Sequence, residues 1–314
     1  MQIRRSATGV EVLAPAKINL FFEVLNRRND GFHEIETLMV PISLYDTLFL
    51  EDDENGTFSL TAHWSKGIEL KQRETARQTG AVPEAELNLL PQGDDNHALR
   101  AVRQLAADAG IVRGAKLRLV KRIPAAAGLG GGSSDAAAAL VAANLVWKLN
   151  WPREKLEEVA AKIGSDVPFF IASRPAVCRG RGEQIDPIPR LPAMQLVVVR
   201  PPEGLSTPAV YRACRPGSPP KTIEPVLAAF RSGSPEKLGN LLHNRLLEPA
   251  RSLSPWIDST LEQLNKEKPL AIGMSGSGTT CFALCRSAFD ARRCAARLKC
   301  RRPGIGQIWS VMTV

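Results

Sequence analysis

The amino-acid sequence predicts an α+β protein of two domains, on three observations. Its 314 residues exceed the length of one ordinary domain. The first half sets strand-like runs and helical periods around a glycine-rich loop, and the second half sets helical segments between short apolar runs. With 44% hydrophobic and 23% charged residues, the chain can bury a sizeable core and is not a disordered polymer. The domains are expected over residues 1–180 and 181–314, with the boundary between Pro175 and Pro192.

Residues 10–25 and 35–50 are rich in β-branched and aromatic side chains, and Asn29-Asp30-Gly31 lies between them, which predicts paired strands. The polar stretch 51–95, punctuated by Asn55-Gly56, Gly67, Gly80 and Pro91, reads as a surface insertion. From Asn96, the spacing of Leu99, Val102, Leu105 and Ala106 is helical and Gly110 ends it. Ala115, Leu117 and Leu119 alternate with Lys116 and Arg118, predicting a strand that enters the loop. A helix follows from near Ser134 to about Lys148, and a second carries Leu156, Val159, Ala160 and Ile163 and stops at Gly164.

Leu196-Val197-Val198-Val199 reads as a buried strand opening the second domain. Helices are expected around 222–247, 252–266 and 287–300, with a glycine-serine turn at 273–279 between apolar strands and a last strand after them.

A formal charge of +9 suits an anionic ligand such as a nucleotide, and suits nucleic acid equally, so charge alone does not choose. Much of the excess, Arg286, Arg292, Arg293, Arg297, Lys299, Arg301 and Arg302, has the spacing of a solvated helix face. The six cysteines form no C-x-x-C pair and the four histidines are scattered, which indicates reduced thiols and no zinc site. No apolar stretch of signal-peptide or membrane-span length follows Met1, so the expected location is the cytoplasm, away from membranes.

The chemistry is concentrated in Pro124-Ala125-Ala126-Ala127-Gly128-Leu129-Gly130-Gly131-Gly132-Ser133-Ser134, placed between a strand and a helix. Glycines let successive backbone N–H groups converge on an anion, and the helix dipole adds about half a positive charge there. The loop is neither a Walker loop nor a dinucleotide fingerprint. A plain flexible turn is the alternative to phosphate binding.

This loop resembles the nucleotide-binding loop of the GHMP kinases. Ala14-Pro15-Ala16-Lys17-Ile18-Asn19-Leu20 is similar to their first motif, and Gly273-Met274-Ser275-Gly276-Ser277-Gly278-Thr279-Thr280 to their third, although a hairpin connection alone would also explain the latter. The resemblance implies a ribosomal-protein-like α+β domain followed by a ferredoxin-like one. Asn26-Arg27-Arg28-Asn29-Asp30-Gly31-Phe32-His33 is further similar to the segment typical of the members acting on diphosphocytidyl-methylerythritol, with Asn26 for the usual glycine and Phe32 for the usual tyrosine.

By that resemblance His33 binds cytosine, Phe32 lines the pocket, Tyr211 stacks on the base, and Asn19 contributes to the substrate site. Read without it, His33 is a surface or turn-capping residue and Tyr211 a core tyrosine. Lys17 and Asp166 match catalytic positions: an aspartate within reach can accept the hydroxyl proton, and a lysine beside it adds positive charge. Their alternatives are a solvated strand residue for Lys17 and a turn or helix cap for Asp166.

The resemblance also implies ATP on residues 124–134, with Asn96 and Lys121 near adenine. It implies magnesium carried with the nucleotide, Ser134 its possible contact, and no dedicated metal cage. Asp135, in the first helical turn, also reads as a cap. The implied reaction is phosphorylation of the 2-hydroxyl of a small cytidine-diphosphate-linked alcohol by a monomer or homodimer without nucleic acid. The rivals are a GHMP kinase for homoserine, mevalonate or a sugar, and a basic RNA-binding protein.

Overall fold

A computed structural model describes residues 1–70, 90–189, 193–301 and 303–314. The chain divides into two compact units. The first comprises Met1–Ala16, Leu44–Ile123 and Gly130–Ser173, and the second Lys17–Ser43, Pro124–Leu129 and Arg174–Val314.

In the first unit, β1 (Gln2–Arg5) pairs antiparallel with the start of β2 (Gly9–Arg27). The end of β3 (His33–Asp53) pairs antiparallel with β5 (Gly114–Lys121), which also takes β4 (Phe58–Trp64) in parallel. Leu48 faces Leu119 across one pair and Leu60 faces Leu117 across the other, so inward positions alternate as a half-buried sheet requires. Helices α1 (His97–Ala109), α2 (Gly131–Val146), α3 (Arg153–Ile163) and α4 (Val167–Ala172) pack with one another, and α1 also meets β4. Helix α2 is buried nearly all round because its alanines, Ala136 to Ala139, Ala142 and Ala143, let neighbouring backbone approach closely.

In the second unit, β2 and β3 continue through residues 17–27 and 33–43. β3 pairs antiparallel with β6 (Ala176–Gly180), which pairs with β7 (Gln184–Pro187). A separate antiparallel sheet has the order β10 (Ala271–Met274), β11 (Cys281–Cys285), β8 (Gln195–Arg200), β12 (Gln307–Met312). Between β8 and β10 come α5 (Thr207–Ala213), α6 (Glu224–Arg231), α7 (Pro235–Gly239), the short strand β9 (His243–Asn244), α8 (Leu247–Leu253) and α9 (Pro255–Lys266). Helix α10 (Ala288–Arg301) joins β11 to β12. This β-α-β-β-α-β succession with β8 and β11 central is ferredoxin-like. Its core joins Val197, Val199, Ala283 and Ile308 to Ile257, Leu264 and Leu298, and takes in Phe22, Val24 and Ile35.

Three expectations change. The stretch 51–95 contains β4, whose alternation of Leu60, Ala62 and Trp64 with polar residues is a strand pattern; residues 71–89 lie outside the described residues. The helix expected over 222–247 is α6 and α7, broken at Gly233 (φ 66°), and α5 precedes them. Helix α2 starts at Gly131, ahead of Ser134, so three loop glycines lead into or form its first turn. On α10, Arg297 and Arg301 pair with the buried Glu267 carboxylate and Arg293 pairs with Asp290, so two acids partly offset three of these cations. The cysteines are free, with Cys300 exposed and the others buried. Among the described residues, no helix is long and apolar enough to cross a membrane.

Candidate active site

The predicted site residues fall into two sets, one in each unit. In the second unit, β2 carries Lys17 and Asn19 two residues apart, so both project to the same side of the strand. Lys17 is only 4% exposed, and its Nζ donates to Asn19 Oδ1 at 2.8 Å. Asn19 Nδ2 donates to Thr37 Oγ1 at 2.8 Å, and that hydroxyl donates to Phe21 O at 2.6 Å. The lysine is therefore held by a polar relay running into β3, which rules out a solvated strand position.

The glycine loop meets the same strand: Lys17 N donates to Leu129 O at 3.0 Å. Ser275, in the glycine-serine turn, donates from Oγ to Gly128 O at 2.8 Å and lies 3.4 Å from Asn19 Oδ1. Gly128 sits at φ 73°, and a Cβ there would lie 2.2 Å from Ser275 O, so this position requires glycine twice over. Within the loop Pro124, Ala127 and Leu129 are buried, whereas Ala125 and Ala126 are exposed. Gly204 approaches closely, with its Cβ position 3.2 Å from Ala126 O.

At the beginning of β3, the His33 ring lies against Tyr211 of α5, with centroids 5.0 Å apart and a 34° tilt. Burial, then the nearby Arg27 charge, pushes the His33 imidazole below its usual value, which favours the neutral ring. Phe32 is 53% exposed, with the Arg181 guanidinium 5.1 Å from its ring centroid. The turn that presents these rings is fixed by Asp30, whose Oδ1 accepts from Phe32 N at 3.0 Å while Oδ2 accepts from Arg28 Nε at 3.1 Å.

In the first unit, Gly130 (φ 69°) is the cap of α2. Gly132 is exposed and Ser133 half-buried at its first turn. Ser134 is wholly buried, and its Oγ has no hydrogen-bond partner among the described residues. A buried hydroxyl of this kind at a helix start suits a hard cation that takes oxygen ligands, or an anion.

Lys121 is gripped by two buried carboxylates, Asp46 and Asp135, with Asp135 Oδ2 at 2.5 Å. Asp46 Oδ1 also accepts from the backbone N–H groups of Arg122 and, at 2.9 Å, Ile123. The acids and the lysine thus fasten the chain on both sides of the loop, and Asp135 is an ion-pair partner, not a helix cap. Asn96 caps α1, its Oδ1 accepting from Ala98 N at 2.9 Å, and its Nδ2 donates to Pro91 O at 2.8 Å. Asp166 occupies the N-cap position of α4 without a side-chain capping hydrogen bond.

Sequence reasoning missed Asp46, Thr37 and Asn244. Asp46 was detectable, because period two places it on the inward face with Leu44, Leu48 and Leu50, where a carboxylate needs a partner. Thr37 and Asn244 carried no comparable signal.

The GHMP kinases N-terminal domain matches residues 96–174, and the GHMP kinases C-terminal domain matches residues 226–303. The 4-diphosphocytidyl-2-C-methyl-D-erythritol kinase of Pelotomaculum thermopropionicum is 38% identical over 292 residues, covering 92% of this chain and 94% of its own. The counterpart from Salinispora tropica is 39% identical over 303 residues, covering 94% and 89%. A crystal structure of 4-(cytidine 5'-diphospho)-2C-methyl-D-erythritol kinase superposes with a TM-score of 0.75 at 34% identity, over 96% of this chain and 98% of that one. Homoserine kinase from Cytophaga hutchinsonii shares the fold, with a TM-score of 0.64 at 17% identity. The chain belongs to the GHMP kinases and, among them, to the 4-diphosphocytidyl-2-C-methyl-D-erythritol kinase family.

Proposed function

We propose that this protein transfers the γ-phosphoryl group of ATP to the 2-hydroxyl of 4-diphosphocytidyl-2-C-methyl-D-erythritol, a step of non-mevalonate isoprenoid synthesis. The observation that carries the substrate choice is the His33–Tyr211 stack behind the Asp30-Gly31-Phe32 turn. A neutral imidazole offers one donor and one acceptor to the edge of a pyrimidine, and an aromatic ring beside it offers a stacking face. Near-full-length identity to kinases of that name supports the same reading.

In this mechanism the backbone of 124–134 binds the ATP phosphates, aided by the helix dipole of α2. Asp166 accepts the proton of the attacking hydroxyl. Lys17, held by Asn19, supplies positive charge near the reacting oxygens. Asn19 and Phe32 line the acceptor side, and Asn96 and Lys121 belong to the nucleotide side. Magnesium, when bound with ATP, would offset phosphate charge, and the unpaired Ser134 Oγ fits an oxygen ligand for it. The two matched family models lie on either side of residue 180, which supports family domains at 1–180 and 181–314, although the compact units interleave along the chain and Lys17–Ser43 falls in the second. We further read the protein as cytoplasmic, a monomer or homodimer, and without a nucleic-acid partner.

The test is ADP release with ATP, magnesium and the diphosphocytidyl alcohol, beside homoserine, mevalonate and galactose. Turnover of the cytidyl substrate alone is expected. Turnover of another alcohol instead would overturn the substrate assignment.

A further inference from the structure

His243, Asn244 and Arg245 follow one another along β9 and its end, where successive side chains point to opposite sides. β9 runs parallel to β2, with His243 opposite Phe21 and Asn244 opposite Phe22, and Arg245 N extends the pairing to Phe22 O at 2.8 Å. On one side lies Glu23, wholly buried on the strand that carries Lys17 and Asn19. Arg245 grips it from Nε to Oε1 at 2.7 Å and from Nη2 to Oε2 at 2.9 Å. His243 Nε2 lies 3.1 Å from Oε2, and the backbone N–H groups of Val24 and Lys221 complete the set. Burial alone would raise this carboxyl, but the Arg245 guanidinium and two backbone donors hold it at about 2, so it stays ionised.

On the other side Asn244 Nδ2 donates to Met274 O and to Gly276 O, both at 2.8 Å, while its Oδ1 accepts from Leu246 N at 2.9 Å. These partners fix the amide's orientation, because a reversed amide would set its oxygen against two carbonyls. The residue enclosed by the two carbonyls is Ser275, whose hydroxyl reaches Gly128 O and faces Asn19 Oδ1. Gly276 follows at φ 55°, its Cβ position 3.5 Å from Lys17 Nζ.

We infer that Asn244 is a positioning residue for phosphoryl transfer: anchored through its neighbours to Glu23, it shapes the 274–276 turn and so sets Ser275 against Gly128 and Asn19. It touches no substrate; it acts through Ser275. The inference rests on residues 124–134 being the ATP loop.

The experiment measures kcat, KM for ATP and affinity for a non-hydrolysable ATP analogue in the parent protein, Asn244→Asp, Ser275→Ala and the double variant. Asn244→Asp keeps the acceptor for Leu246 N and loses both donors to the turn. It should lower kcat/KM for ATP by about 10–100-fold, the scale on which small displacements of reacting groups act. Part of the loss should return as pH falls, since a protonated carboxyl restores one donor, a recovery that a general loss of folding would not show. The double variant should be no worse than the worse single one, because both changes break the same chain of contacts.

A fully additive double variant, or Asn244→Asp within about twofold of the parent, overturns the inference. Should Asn244→Asp not fold, unchanged kcat and analogue affinity in Ser275→Ala overturns it equally. A parent protein that binds the analogue but leaves the cytidyl alcohol untouched sinks the substrate reading alone, and analogue affinities across the variants then decide the role of Asn244. A parent that does not bind the analogue sinks the loop assignment and this inference with it.

Discussion

The Lys121 ammonium lies 2.5 Å from Asp135 Oδ2, and both groups are almost completely buried. Asp46 holds the same ammonium, so one positive charge meets two buried carboxyl groups. Lys121→Met should therefore leave the buried Asp46 carboxylate without its cation and destabilise the protein by about 3–5 kcal/mol. Urea unfolding checks this; a loss below about 1 kcal/mol would mean that water or a counter-ion already reaches the acids.

Asp135→Asn should act in the opposite direction. Burial, opposed by the Lys121 charge and reinforced by the Asp46 carboxylate, pushes the Asp135 carboxyl up to about 8, well above the usual aspartate range. The native state therefore holds this proton more tightly than the unfolded chain, so the contribution is favourable at low pH and is lost as pH rises towards about 8. The asparagine keeps an oxygen for Lys121 and has no proton to lose. Its melting temperature should match the parent's at about pH 4 and below, and exceed it increasingly as pH rises to about 8. Parallel curves across that range would contradict the assignment.

Gly128→Ala should fold and bind ATP poorly. Its Cβ would press on Ser275 O at 2.2 Å from a left-handed backbone, so the loop must shift away from the turn that supports it. A KM for ATP raised about tenfold or more, with KM for the cytidyl alcohol nearly unchanged, is expected; an unaltered KM for ATP would detach this loop from the nucleotide.

His33→Ala and Tyr211→Ala should each raise KM for the cytidyl alcohol and leave that for ATP alone. Stacking of a base on an aromatic ring is worth about 1–3 kcal/mol, or roughly 5–150-fold. Because burial holds His33 below its usual value, the parent's KM should stay flat as pH falls through 6.5 and rise only in more acidic solution, when the ring loses its acceptor. Equal effects on both substrates would point to a general folding defect.

Asp166→Asn should lower kcat by about 10²–10⁴-fold with little change in either KM, as expected for loss of a general base. A KM effect alone would make Asp166 a binding residue.

The elements with strong periodicity were legible in the sequence. Leu99, Val102, Leu105 and Ala106 announced α1 and its Gly110 stop, and Leu117 and Leu119 announced β5. What escaped were features decided by partners distant along the chain. Strand β4 exists because Phe58–Trp64 pairs with β5, across a stretch whose polar punctuation reads as insertion. Nothing in the sequence around Lys121 signals that Asp46, 75 positions away, pairs with it. Asp166 and Ser134 stand out as candidates by motif spacing, whereas Asn244, an ordinary asparagine between helices, gains meaning only from the two carbonyls it meets.

The interleaving of the two units has a consequence during synthesis. Lys17–Ser43 belongs to the unit completed by Arg174–Val314, so the apolar side chains of Phe22, Val24 and Ile35 emerge from the ribosome long before Val197, Val199 and Ala283, with which they cluster. At about 5–20 residues per second, that wait lasts on the order of ten seconds or more. A nascent chain of this protein therefore carries a sticky early segment through most of its translation, an opening for chaperones that no contiguous two-domain arrangement would create.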